Sequence, residues 1–260
     1  MIESLIFILA GFVTGIITGI IGASSIVAFI PIILLFLDYD AFSLIGVSLA
    51  LDVFVALVVF LMYRKYHHIK FKIGIFLSIF AVIGAVIGSY LSLSLPQGPL
   101  FAITGLVSVF TGVGIFMRKR HLKPMTKLNF DFSMKNINSW KSWLAVFLAF
   151  VIGLMAGGLG AAGGISLFLL LILLFRFEIH EAIGTSVFVM FFIAIAGSLT
   201  HFYYMKTFSF LLLSFAIIGG VIGAFFSARL ANFFKEGTLN KISGLLLIVL
   251  GLATFLRELI

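Results

Sequence analysis

One glycine-rich apolar stretch occurs twice in the chain, at residues 11–35 and again at residues 149–173. The two copies align at an offset of 138 residues, which pairs Gly22 with Gly160. Each copy lies in an apolar run of about 35 residues, whereas a single membrane-spanning helix needs only about 20. Either run is too long for one straight crossing and too short for two full ones. We therefore expect each run to be interrupted at its glycines.

The expected interruptions indicate a binding site. Glycine permits the backbone conformations that a broken helix needs, and unwound backbone at membrane depth must be buried in protein or line a polar cavity. Paired broken segments are typical of a transporter's binding site. A half-helix that begins after a break turns its N–H groups and positive dipole end toward the cavity, which favours an anion. We predict that a small anionic substrate is bound by Gly22, Ser24, Ser25, Gly160, Gly163 and Gly164.

Composition places the chain among the polytopic membrane proteins. Of its 260 residues, 63% are hydrophobic and 10% charged, which is outside the range of soluble domains. The net charge of +8 lies mostly in short connectors, where the positive-inside rule explains it without a nucleic-acid partner. The chain contains no cysteine, which excludes disulfides and thiolate chemistry. We expect a multi-pass protein of the cytoplasmic membrane, surrounded by the lipid bilayer.

The duplication divides the chain into two transmembrane repeats, residues 1–117 and 142–260, joined by a basic cytoplasmic linker at residues 118–141. Each repeat is predicted to be a broken segment followed by three apolar spans. In the first repeat these spans cover residues 41–62, 73–95 and 100–117.

The topology depends on whether the broken segments cross the membrane. If each folds back as a hairpin, each half crosses three times and the repeats are inverted; if each crosses once, there are eight spans and parallel repeats. The inverted arrangement leaves all but two of the 17 Lys/Arg in the cytoplasm, the exceptions being Lys206 and Arg257, and the parallel one leaves all but four. We predict an all-α fold of two inverted repeats, each a broken helical hairpin plus three transmembrane helices, with eight spans in parallel repeats as the alternative.

Small hydroxyl residues open the spans that follow the broken segments, in Gly46-Val47-Ser48 and Gly184-Thr185-Ser186. Their hydroxyls could donate to substrate oxygens or bond back to carbonyls of their own helix, and the residues alone leave both readings open. Ser48, Thr185 and Ser186 are therefore candidate substrate-binding residues.

Two ionisable residues are candidates for proton coupling. Asp52 falls near the middle of a predicted span, where an ionised carboxylate costs at least about 2.5 kcal/mol. It is either a proton carrier or cavity wall, or a protonated or paired structural residue, and its aligned partner is Met190. His201, aligned with Tyr63 near a span end, either couples protons or lies at the interface.

Enzyme signatures are absent from the sequence. It has no G-x-x-x-x-G-K-[ST], H-E-x-x-H or G-x-S-x-G motif. We expect no enzymatic activity, no cofactor and no metal ion, and no ATP-driven transport by this chain alone.

The duplicated G-x-x-x-G-x-x-G tract, followed in each half by a Gly-Thr-Ser-type motif, resembles the TauE/SafE family of membrane permeases, often called sulfite exporters. The resemblance runs from Gly11 to Arg118 and from Gly153 to Arg257. It implies export of a small sulfur-containing anion such as sulfite or an organosulfonate. The first half departs from the pattern at Gly22-Ala-Ser-Ser, which bears on the substrate more than on the fold.

The resemblance and the paired breaks together suggest alternating access around a mid-membrane site. A proton carried by Asp52 or His201, or the anion's own gradient with the membrane potential, would supply the driving force. An anion channel and a permease for carboxylates or other small anions are the alternatives. The residues also leave room for a homodimer.

Overall fold

The computed structural model describes residues 2–96, 140–160, 163–205 and 209–230, together with isolated positions between 106 and 116 and between 241 and 256. Apart from Trp140 and Lys141, the predicted linker lies outside the described residues, as does most of the span predicted at residues 100–117. All regular structure in the described ranges is helical. The predicted all-α class is therefore confirmed.

Eight helices have defined bounds in these ranges: α1 Ile2–Ile21, α2 Ile26–Phe36, α3 Ala41–Lys65, α4 Phe71–Ser92, α5 Trp140–Leu159, α6 Gly163–Phe175, α7 Ile179–Tyr204 and α8 Phe210–Leu230. Six of them, namely α1, α3, α4, α5, α7 and α8, are long and apolar enough to cross a membrane. The other two, α2 and α6, have only 11 and 13 residues. Helices α3 and α4 correspond to the spans predicted at residues 41–62 and 73–95.

Both predicted interruptions are confirmed. The chain leaves the helical path between α1 and α2 and again between α5 and α6. At each break a glycine has a positive φ, +68° at Gly22 and +65° at Gly160. This left-handed conformation costs about 1–2 kcal/mol for a residue with a side chain, whereas glycine adopts it freely. The two glycines therefore end α1 and α5 at aligned positions.

Helix α2 folds back along α1. The ring of Phe7, near the start of α1, packs edge-to-face against Phe29 at 5.8 Å and against Tyr39 at 5.9 Å. Because a helix rises 1.5 Å per residue, Phe7 lies about 20 Å from the break at the other end of α1. Phe29 and Tyr39 reach it only because the chain reverses direction after Gly22. The first broken segment is therefore a hairpin.

The two halves of the chain are interlocked through small residues. Helix α1 lies against α8, and α4 lies against α5. A Cβ atom added at Gly15 would collide with the carbonyl oxygen of Gly220, and one added at Gly153 would collide with that of Ala81. Small residues allow such close backbone approach between transmembrane helices. The first helix of each half thus packs on the last helix with defined bounds in the other half.

One contact between the halves occurs in two equivalent forms. A Cβ atom added at Gly46 would lie 2.7 Å from Cβ of His201, and one added at Gly184 would lie 3.2 Å from Cβ of Tyr63. The offset of 138 residues aligns Gly46 with Gly184 and Tyr63 with His201. The same two aligned positions therefore contact each other twice, once with the glycine in the first half and once with the glycine in the second.

Candidate functional site

The two helix breaks lie against each other. A Cβ atom added at Gly164 would collide with the carbonyl oxygen of Gly22 and would lie 3.1 Å from Sδ of Met190. On the other side, Ser24 Oγ lies 3.5 Å from the carbonyl oxygen of Gly160. Gly22, Ser24 and Ser25 of the first break are buried. The breaks therefore form a single buried centre in which backbone of one half faces backbone of the other.

A carboxylate occupies the N-terminus of α2. Asp52 is fully buried and lies near the middle of the candidate span Phe42–Lys65. Its Oδ1 accepts a hydrogen bond from the backbone N–H of Ser25 at 2.7 Å, and its Oδ2 accepts from Oγ of Ser24 at 2.5 Å. A negative charge is stabilised at a helix N-terminus by the exposed N–H groups and the dipole. Asp52 is therefore paired, and the N–H group of Ser25, which was expected to face an open cavity, already has an anionic partner.

The hydroxyl of Ser25 has no hydrogen-bond partner among the described residues, although the side chain is fully buried. Ser25 immediately precedes α2, and its φ of −55° and ψ of −34° are helical. A side chain that caps a helix normally belongs to a residue outside the helical region, and Ser25 makes no capping bond. A buried polar group left without a partner costs about 1–3 kcal/mol. The Asp52 carboxyl group lies beside this hydroxyl and can accept from it.

The other three predicted hydroxyls are already engaged in the structure. Ser48 Oγ donates to the carbonyl oxygen of Ile45 at 2.9 Å, and Ser186 Oγ donates to that of Ile183 at 3.0 Å. Both serines thus bond back to their own helices, which was one of the two readings left open. Thr185 instead accepts a hydrogen bond from the backbone N–H of Lys70 at 3.1 Å. It therefore holds the start of α4 rather than facing the breaks.

Two predicted residues of the second break differ in how tightly they are enclosed. Gly163 begins α6, and a Cβ atom added there would meet only Cβ of Ala156, at 3.0 Å. A Cβ atom added at Gly160 would collide with Cδ1 of Ile26 and lie 3.1 Å from Cγ2 of Ile45. Ala161 and Ala162 lie outside the described residues. Gly160 and Gly164 are therefore the positions where this break contacts the first half.

Helix α7 contributes the wall beside Gly22. A Cβ atom added at Gly22 would lie 3.3 Å from Cγ2 of Val187 and 3.6 Å from Oγ of Ser186. Of the three predicted hydroxyl residues that open the following spans, Ser186 is thus the one placed next to a break.

His201 is buried and paired rather than interfacial. Its side chain is fully buried, with Nδ1 3.1 Å from the carbonyl oxygen of Phe42 and Nε2 3.0 Å from that of Gly157. Its ring lies 4.2 Å from the ring of Phe42. Both partners are acceptors, so a neutral imidazole satisfies one of them and only the imidazolium satisfies both. Since Gly157 lies in the last turn of α5, His201 connects the start of α3 to the second break.

Sequence reasoning missed two contacts between elements. Ser89 Oγ donates to the same Gly157 carbonyl oxygen at 3.1 Å, a bond between α4 and α5 that no local pattern signals. The second is the Lys70–Glu181 ion pair at 2.6 Å, between the α3–α4 connector and the first turn of α7. A basic connector facing an acidic helix start was its only sequence signal. Within the described ranges, no three potential metal ligands converge.

Comparisons with known proteins agree with one another. The family model for the sulfite exporter TauE/SafE matches residues 7–254. The chain is 24% identical over 263 residues to the probable membrane transporter protein YunE of Bacillus subtilis (strain 168), covering 95% of each protein. It is 26% identical over 254 residues to the probable membrane transporter protein YdhB of the same organism, covering 94% of this chain and 100% of the relative. No solved structure matches the chain significantly.

Proposed function

Because the chain belongs to the sulfite exporter TauE/SafE family, we propose that it is a secondary transporter that exports a small sulfur-containing anion, such as sulfite or an organosulfonate. The family is one of membrane transporters and not of enzymes. With six candidate spans among its described residues, the chain is a multi-pass membrane protein, and the cell membrane is its expected location.

The main support for the proposal is that the two helix breaks contact each other beside the N-terminus of α2. The Ser25 N–H and the Ser24 hydroxyl lie there in a buried centre near the middle of a candidate span, where they donate to the Asp52 carboxyl group. Fixed donors at a helix N-terminus favour an anion over a neutral or cationic solute. We assign substrate binding to the two breaks, at Gly22, Ser24, Ser25, Gly160, Gly163 and Gly164, with Ser48, Thr185 and Ser186 supporting the surrounding walls.

We further propose that residues 1–117 and 142–260 are two inverted repeats and that residues 118–141 are a cytoplasmic linker. The hairpin of α1 and α2 supports this arrangement, because a segment that returns to its own side reverses the orientation of the second half. The reciprocal contacts of Gly46 with His201 and of Gly184 with Tyr63 support a symmetric relation between the halves. Inverted repeats around a central site suit alternating access.

The driving force is assigned to a proton carried by Asp52 or His201, or to the anion's own gradient. Both side chains are fully buried and both contact a break: Asp52 binds the first, and His201 lies 3.0 Å from the Gly157 carbonyl oxygen beside the second. A change of protonation at either residue would alter a hydrogen bond that holds a break in place. Uptake measured with and without an imposed proton gradient separates the two sources.

Purified protein in liposomes tests the function directly. We expect saturable uptake of labelled sulfite or sulfoacetate, accelerated when the same unlabelled anion is present on the opposite side. An anion channel would give flux that neither saturates nor shows this counterflow. Saturable uptake of a carboxylate, with none of the sulfur anions transported, would identify a carboxylate permease and reject the proposed substrate class while leaving the architecture intact.

A further inference from the structure

We propose, on the basis of the function above, that Ser24 and Asp52 form a proton-controlled latch between the two helix breaks. When Asp52 is ionised, the Ser24 hydroxyl donates to its carboxylate. When Asp52 takes up a proton, the same hydroxyl turns to the Gly160 carbonyl oxygen and joins the first break to the second. A proton that binds and leaves once in each transport cycle thereby fastens and frees the breaks. The latch assigns the coupled proton to Asp52 rather than to His201.

The Ser24 hydroxyl has two acceptors within reach and one hydrogen to donate. Its Oγ lies 2.5 Å from Oδ2 of Asp52 and 3.5 Å from the carbonyl oxygen of Gly160. Hydrogen bonds between a hydroxyl and an oxygen span about 2.5–3.0 Å, so the bond to Asp52 is the one made here. A bond to Gly160 needs the two breaks to approach each other by about 0.5 Å or more. The hydroxyl therefore joins either α3 to the first break or the first break to the second.

The protonation state of Asp52 determines which acceptor this hydroxyl uses. Oδ1 of Asp52 accepts from the backbone N–H of Ser25 at 2.7 Å, and an N–H group cannot accept a hydrogen bond in return. A proton on the carboxyl group therefore belongs on Oδ2, where the lone pairs of Ser24 Oγ can accept it. The Ser24 hydrogen, no longer directed at Oδ2, is then available to the Gly160 carbonyl oxygen. No proton leaves Ser24, because its hydroxyl only rotates.

Charged and titratable groups on the helices around Asp52 lie near the helix ends. Helix α3 packs against α1, α2, α7 and α8. In these four helices such groups occur only in a first or last turn: Glu3 on α1, His180, Glu181, His201, Tyr203 and Tyr204 on α7, and Arg229 on α8. The others on α3 are in its last turn, namely Tyr63, Arg64 and Lys65. The groups that hydrogen-bond to the Asp52 carboxyl are those of Ser24 and Ser25, so these serines respond to its titration.

The second half of the chain lacks both members of the pair. The offset of 138 residues aligns Ser24 with Ala162 and Asp52 with Met190. The hydroxyl and the carboxyl group are thus replaced together, by side chains that do not titrate. The two breaks therefore share one latch, which predicts that one proton moves in each cycle.

Amide hydrogen exchange of residues 157–164 tests the latch in full-length protein, held in nanodiscs without substrate. Exchange rates corrected for the intrinsic effect of pH report how tightly the second break is held. One added hydrogen bond slows exchange by about two- to tenfold. We expect wild-type protection to fall by this factor as pH rises through the titration of Asp52, because ionisation takes the Ser24 hydroxyl away from Gly160. Protection that does not depend on pH would overturn the latch.

Two variants fix the latch in its opposite states. Asp52→Asn accepts from Ser25 through its amide oxygen and donates to Ser24 through its amide nitrogen, as the protonated acid does, so it should stay protected at every pH. Ser24→Ala removes the hydroxyl and should stay unprotected at every pH. Ser78→Ala is the matched control, because it removes a buried hydroxyl that bonds to Gly74 within α4, and it should titrate like the wild type. A wild-type pH response in Ser24→Ala contradicts the proposal.

Uptake into liposomes separates failure of the latch from failure of the proposed function. An imposed proton gradient should change sulfite uptake by the wild type and by His201→Gln, but not by Asp52→Asn or Ser24→Ala. Saturable wild-type uptake that ignores the gradient rejects the latch alone. Loss of the response in His201→Gln, with the response kept in Asp52→Asn, assigns the proton to His201 and also rejects the latch. If the wild type transports none of the anions, the transport function is rejected, and with it the part of the latch in a cycle.

Infrared spectroscopy keeps the proposal testable if the Asp52 or Ser24 variants do not fold. The aspartates of the chain are Asp38, Asp40, Asp52 and Asp131, so protein with the other three replaced by Asn shows the protonated-carboxyl band of Asp52 alone. This band should appear over the same pH range as the added protection of residues 157–164. A band that appears in a separate pH range would show that Asp52 does not control the second break.

Discussion

Gly164 packs directly against the backbone of Gly22, so the break in the second half rests on the break in the first. The Gly22 carbonyl oxygen occupies the space that a side chain at Gly164 would need. Backbone atoms cannot rotate away from such a contact as a side-chain end can. The geometry of the proposed site therefore depends on the absence of a single methyl group at this position.

Gly164→Ala should abolish most transport while the protein still inserts into the membrane. Overpacking a close contact costs about 1–3 kcal/mol, and a misplaced break would lose substrate donors. Gly163→Ala should be milder, because the added Cβ would meet only Ala156 Cβ at 3.0 Å. Gly114→Ala serves as control, since no described atom lies within 4 Å of an added Cβ there. Equal uptake by the Gly164 and Gly114 variants in liposomes would contradict the contact.

Gly160→Ala should reduce thermal stability and uptake more than Gly22→Ala. Both residues have positive φ, so both variants incur the left-handed cost of about 1–2 kcal/mol. Only at Gly160 would the new methyl group also collide with Ile26 Cδ1. Ile26→Val removes that atom and should partly rescue Gly160→Ala without helping Gly22→Ala. A rescue of both, or of neither, in melting temperature would argue against the collision.

Glu181→Gln should make the α3–α4 connector easier to detach from α7. The Lys70–Glu181 pair is partly exposed, and such pairs contribute about 0.2–1 kcal/mol, which corresponds to at most about a fivefold change in the open fraction. Because the chain has no native cysteine, Thr185→Cys reports opening through its rate of labelling by a membrane-impermeant thiol reagent in inside-out vesicles. Faster labelling is expected with Glu181→Gln, and no change is expected with Lys72→Gln, which removes a nearby charge.

A cysteine in place of Lys206 should be labelled from outside the cell. The inverted arrangement leaves Lys206 outside, whereas parallel repeats place it in the cytoplasm. Lys65→Cys, at the end of α3 beside the basic connector, should be protected in intact cells under both schemes. Protection of the cysteine at position 206 with labelling in inverted vesicles would favour eight spans.

The positions of the breaks could be predicted because they depend on local properties. An apolar run of excessive length and a glycine able to adopt positive φ are both visible within a short window, and Gly22 and Gly160 have that conformation. The class of the protein follows likewise from composition. No packing information is needed for either conclusion.

The hydrogen bonds within the site could not be predicted, because they join residues that are far apart in the sequence. Asp52 was recognised as unusual, but its bonds to Ser24 and Ser25 arise only when α3 packs beside the reversed α2. The orientation of the hydroxyls is likewise set by packing: Ser186 bonds within its helix, whereas its neighbour Thr185 binds Lys70 on another element. Residue type suggests hydrogen-bonding groups at these positions but does not identify their partners.

The exchange of partners between the halves limits how the molecule can move. Helix α1 lies against α8 and α4 lies against α5, with backbone touching backbone. The helices of one sequence half therefore cannot move away together without separating both of these helix pairs. Under the proposed alternating access, each moving body would therefore be built from helices of both halves. An amino-terminal fragment made alone would present two glycine-lined grooves to lipid and would be complete only after its counterpart had inserted beside it.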